Sequence, residues 1–155
     1  MCRYWTFFSL LACCSLGLCC CGGGGGGSDS QGKKPSLKGK NIRLTDTVTR
    51  ISYQLLFEST KRVSVVNMSA RESYDETYTY SEQGLTATLN ISSSSNSAYC
   101  KMENVVLNFS SEAKDAGTIT SGTCREKADR NLPPELYDVP RSMDNWTFTC
   151  QNAGN

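Results

Sequence analysis

Nine cysteines and no histidine set the chemistry open to this 155-residue chain. Without imidazole there is no Ser-His-Asp or Cys-His nucleophile, no histidine general base and no imidazole metal ligand. The carboxylates offer one cluster, Glu72, Asp75 and Glu76 around Tyr74. Paired acids can serve glycoside hydrolysis or hold calcium. A calcium loop spaces its oxygen ligands regularly around a glycine, and this segment does not, so it reads as a solvated turn between two strands. No catalytic residue, metal site or cofactor is assigned.

The cysteines divide by position. Cys2, Cys13, Cys14, Cys19, Cys20 and Cys21 fall in the first 21 residues, and Cys100, Cys124 and Cys150 follow much later. The first group lies in a stretch with one charge at Arg3, an apolar run from Tyr4 to Leu18 and then small residues, which is the pattern of a signal peptide over 1–20. It is shorter than the roughly 20 apolar residues of a membrane-spanning helix. Gly22 to Gly27 and the Ser/Gly/Lys stretch behind them, through residue 36, carry no core-forming side chains and read as a flexible tether.

An export signal, a cysteine at its end and a Gly/Ser tether resemble a bacterial lipoprotein, in which the cysteine after the cleaved signal is lipid-modified. The resemblance implies Cys21 as the attachment point, in Leu18-Cys19-Cys20-Cys21, with Cys19, or Cys13 in Leu10-Leu11-Ala12-Cys13, as alternatives. A second likeness lies between residues 35 and 120. Pro35-Ser36-Leu37-Lys38-Gly39-Lys40, Thr77-Tyr78-Thr79-Tyr80, Leu85 to Leu89, Val106 to Ser111 and Ala116 to Ile119 are similar to small bacterial envelope lipoproteins, where a Ser-Leu-x-Gly-Lys step opens an all-β domain. That likeness brings no catalytic residue.

The elements that must position these groups are strands. Alternating apolar residues mark about eight of them: Ile42 and Leu44; Ile51, Tyr53, Leu55 and Phe57; Val63 and Val65; Tyr78 and Tyr80; Ala87, Leu89 and Ile91; Val105, Leu107 and Phe109; Ile119; Trp146 and Phe148. Short polar turns separate them, at Thr45-Asp46, Glu58 to Lys61, Glu82 to Gly84, Ser92 to Ser97 and Ser110 to Gly117. Such links join antiparallel neighbours. The expected domain, 37–155, is an all-β antiparallel meander closed into a barrel of lipocalin-like shape, which removes both exposed edges. A two-sheet sandwich is the second choice. Residues 125–144 hold three prolines and no period and read as a loop.

Beyond the leader, two of Cys100, Cys124 and Cys150 are expected to form one disulfide in an oxidising compartment. Cys124 with Cys150 would staple the Pro-rich loop, and the hairpin of the sixth and seventh strands equally brings Cys100 and Cys124 to one end. Tyr53, Phe57, Tyr78, Tyr80, Phe109 and Trp146 are candidates to line a ligand cavity or fill the core. Sequons begin at Asn67, Asn90, Asn108 and Asn145, three of them inside expected strands.

With 16 basic and 15 acidic residues there is no positive surplus for nucleic acid. The expectation is a non-catalytic β-domain of the bacterial cell envelope, held to a membrane by lipid, with an envelope protein as partner. A carrier of a small apolar ligand and a eukaryotic secreted, N-glycosylated interaction domain are the alternatives.

Overall fold

A computed structural model describes residues 35–127 and 139–154. The expected signal peptide, the lipid-site cysteines Cys13, Cys19 and Cys21, and most of the tether lie outside the described residues, as do 128–138 of the Pro-rich segment. The described residues fall in one compact unit.

The strands are β1 (Lys40–Thr45), β2 (Ser52–Phe57), β3 (Arg62–Asn67), β4 (Glu72–Gln83), β5 (Thr86–Ser92), β6 (Tyr99–Phe109), β7 (Ala116–Lys127), β8 (Arg141–Ser142) and β9 (Thr147–Asn152). β1 to β7 pair in sequence, each antiparallel to the next. β9 then inserts between β7 and β1 and closes an eight-stranded antiparallel barrel. The two-residue β8 pairs further along the same edge of β7, Thr123 with Ser142 and Cys124 with Arg141, so β8 and β9 act as one interrupted strand. The barrel expectation holds.

Period-2 alternation fills the interior. Ile42, Leu44, Leu55, Val65, Leu89 and Leu107 have no exposed surface. A barrel of eight strands is just wide enough for its inward side chains to meet. The alternation changes phase once on each of two strands. In β6, a bulge around Glu103–Asn104 lets Cys100 and Met102 face inward on even numbers while Val105, Leu107 and Phe109 do so on odd ones. Asn104 takes φ 51°, and Asn90 Oδ1 accepts its backbone N–H at 2.7 Å. Opposite it on β7, Gly122 has φ 148°, and a Cβ there would lie 2.9 Å from Val105 Cα. Beyond that glycine Cys124 faces inward.

Two expectations are corrected. The acidic cluster is not a turn: β4 begins at Glu72, the turn is Met68–Arg71, and alternation sends Glu76 inward, 4% exposed, while Asp75 faces out. Charge on inward positions had disguised the strand. The loop at 125–144 is also shorter than expected, because Arg125, Glu126 and Lys127 extend β7, Arg141 and Ser142 form β8, and Met143 is fully buried.

Candidate functional site

The barrel has unlike ends. At one, Leu37 folds under the rim and joins the core, with Lys40 N–H donating to its carbonyl and Gly39 N–H donating to Phe57 O. At the other lies a polar cluster centred on Glu126, which is inward on β7 two residues after Cys124. Its carboxylate accepts from Tyr53 OH at 2.6 Å, Asn67 Nδ2 at 2.8 and 2.9 Å, Tyr74 OH at 3.0 Å and Arg141 Nη2 at 3.1 Å. Arg141 Nη2 also donates to Tyr53 OH at 3.1 Å. Four strands and β8 thus meet on one carboxylate. Such a group is stable in a barrel mouth because its lone pairs are filled and a cation faces it.

The electrostatics follow. Burial first, then the neighbouring Cys124 for Tyr53 and the Glu126 carboxylate for both, push the phenols of Tyr53 and Tyr74 far above their ordinary value. Burial pulls Arg141 down, but Tyr53, Cys124 and Glu126 outweigh it and hold the guanidinium charged. Nearby, Glu76 Oε1 accepts the backbone N–H of Cys100 at 3.1 Å, while Oε2 accepts no hydrogen bond among the described residues. β5 ends at Ser92, so β4 and β6 lose their shared neighbour there. The Glu76 side chain spans that seam.

All three late cysteines are free thiols. Cys100 and Cys124 lie together under the Glu126 cluster, Sγ to Sγ 3.9 Å, both fully buried. Cys150 is half-buried on β9, near Lys40 and Asp115 towards the Leu37 end. The structure therefore brings one of the expected pairs together but without the expected disulfide, and leaves Cys150 apart.

The candidate ligand-lining aromatics sit in the core, with Tyr80 half-buried, and they meet one another. Tyr53 stacks on Trp146 at 6.0 Å, Phe57 meets Tyr78 edge-on at 4.7 Å, and Phe109 meets Phe148 edge-on at 5.3 Å. Clefts form on the outside: one of about 230 Å³ over Arg43, Gln54 and Thr149, and one of about 330 Å³ between Pro35, Lys61 and Tyr80. No cluster of three or more metal-ligating side chains occurs among the described residues.

Two sequon asparagines are occupied. Asn67 is buried, its Oδ1 accepting from Ser69 and Ala70 N–H, and Asn90 holds the β6 bulge. Asn108 and Asn145 are exposed. Residues missed from sequence are Glu126 and Arg141, read as loop, and Asn67, read as a sequon. The signal available was the continuation of even-numbered alternation through Cys124 to Glu126.

The fold defines the class: a closed antiparallel barrel with a packed interior and a carboxylate-centred cluster at one end. No protein-family model matches the chain, and no curated protein or solved structure matches it.

Proposed function

We propose that this is a lipid-anchored envelope protein whose non-catalytic barrel binds a protein partner through its Glu126 end. One observation carries the reading. The large hydrophobic side chains exposed among the described residues, Val48 (86%), Met68 (46%) and Val139 (58%), all sit at that end, on the β1–β2 turn, the β3–β4 turn and the approach to β8. Arg50 and Arg71 stand on the same turns. Interface cores favour Met and Arg at the expense of Lys and Glu. Pro35 and Ser36, where the proposed tether joins, lie at the opposite end and would point this face away from the anchoring membrane.

The packed interior supports binding by surface over the lipocalin-like carrier, which needs several hundred Å³ of internal space, roughly the lower end of known ligand pockets. The absence of histidine supports a non-catalytic role. Intact mass spectrometry of the mature protein from its native membrane tests the anchor, with acylation expected at Cys21. A cleaved, unmodified N-terminus, or an N-glycan on Asn108 or Asn145, overturns it. For the binding face, photo-crosslinkers at positions 48 and 68 are expected to trap the same envelope protein, and one at Ser81, by the other end, to trap none. Equal adducts from both ends overturn the assignment.

A further inference from the structure

We propose that Cys100 and Cys124 are a redox couple, a buried dithiol that closes to a disulfide between β6 and β7 by exchange with an external disulfide, leaving Cys150 as a free thiol. The geometry is specific. Cys100 is paired with Glu126 and Cys124 with Met102, so the two cysteines are diagonal neighbours on adjacent strands, both facing inward. That shared inward face exists because the β6 bulge and Gly122 reset the phase of both strands at the same level. Their sulfurs stand 3.9 Å apart. A disulfide bond is about 2 Å long, and its partners sit on neighbouring backbone segments. Because diagonal neighbours start about 7 Å apart at Cα, closing the bond takes side-chain rotation together with a small approach of β6 to β7.

The two thiols are not equivalent. The hydrogen bond from Cys100 lowers the Cys124 thiol, burial opposes it, and the Arg141 guanidinium lowers it further. The same contact and burial push Cys100 well up. Cys124 is the attacking group, because it pairs with Arg141 on the β7–β8 ladder and that guanidinium favours a thiolate there, the nucleophile in exchange. Its thiolate attacks one sulfur of the external disulfide, forming a mixed disulfide and expelling one thiolate. Cys100 then loses its proton and attacks the Cys124 sulfur, forming the Cys100–Cys124 bond and expelling the second. Two electrons and two protons leave the protein, and the external disulfide becomes two thiols. Both cysteines are fully buried, so exchange requires the Glu126 end to open or the barrel to be unfinished. The proposal is independent of how the chain is anchored.

The test uses the full chain, reduced, unfolded and refolded with or without oxidised glutathione, then alkylated in denaturant and mapped by peptide mass. With oxidant, the Cys100 and Cys124 peptides are expected as one cross-linked species lighter by two hydrogens, with Cys150 alkylated. The yield should be unchanged in Cys150→Ser, and the oxidised form should melt higher than the reduced one. Alkylation of both Cys100 and Cys124 after oxidation overturns the proposal, as does a cross-link from either to Cys150 or to a leader cysteine. This mapping is done on the wild-type chain, so it stands even if Cys124→Ser fails to fold.

Discussion

The Leu37 end and the Glu126 end close the same barrel by opposite means. At the first, an apolar side chain from outside the sheet joins Phe57 and Tyr78 in the core. At the second, a carboxylate gathers four donor side chains, three from the distant strands β2, β3 and β4 and one from the neighbouring β8. The first contact needs only shape and survives changes of salt and acidity; the second needs every partner in place and the right charge on each. Packing tolerates small errors at the first end, whereas the second specifies which strands meet.

The largest effect separating the two is Phe57→Ala, which removes a ring from the apolar end and should lower stability by about 3–5 kcal/mol. The loss should be the same at low and high salt in denaturant titrations; a strong salt dependence would erase the contrast. Glu126→Ala strips the other end of its acceptor and leaves Arg141, Tyr53, Tyr74 and Asn67 without it, at a cost of about 2–4 kcal/mol. Glu126→Gln should lose less, since it keeps the shape and one acceptor. Wild-type stability in Glu126→Ala would reduce the cluster to surface decoration.

Tyr53→Phe should cost about 1 kcal/mol. Phenol titration sharpens the same point. The folded pKa values of Tyr53 and Tyr74 are raised above the ordinary 10.0, so their contribution is complete below pH 10 and is lost as pH rises towards the folded values. Their phenolate absorbance should then appear together with alkaline unfolding, not before it, and early titration of both would argue for an open end.

The smallest effect lies back at the Leu37 end, where Glu82 pairs with Lys114 and accepts from Tyr80. Burial pushes the Glu82 carboxyl up, but the hydrogen bonds from Lys114 and Tyr80 and the Lys114 charge bring it below its ordinary 4.5. Its contribution is thus present above pH 4.5 and lost as pH falls through the folded value. Glu82→Gln should cost about 0.5–1 kcal/mol at neutral pH, with the gap to wild type closing in acid.

The same contrast explains which elements are legible in the amino-acid sequence. Residues such as Leu55, Leu89 and Phe148 announce their strands because alternation is a local pattern. Glu76 and Glu126 were invisible because an inward carboxylate becomes tolerable only when partners arrive from elsewhere: Tyr53 stands 73 residues from Glu126 and Asn67 stands 59. Phase changes at Asn104 and Gly122 hid the outer halves of β6 and β7. β8, with two residues, carries no period at all. What escaped was the polar end, where long-range pairing overrides local signal.

The closing strand also sets a clock. Lys40 meets Asn152 across 112 positions, and β1 has no neighbour on that side until β9 is in place. Contacts so distant along the chain make folding slow, because their loop entropy is lost before they form. Growing from its N-terminus, the chain can build only an open sheet until β9 emerges to pair with both β1 and β7. Cys100 and Cys124 meet earlier, in the local hairpin of β6 and β7, and an oxidant can reach them while the sheet is still unrolled.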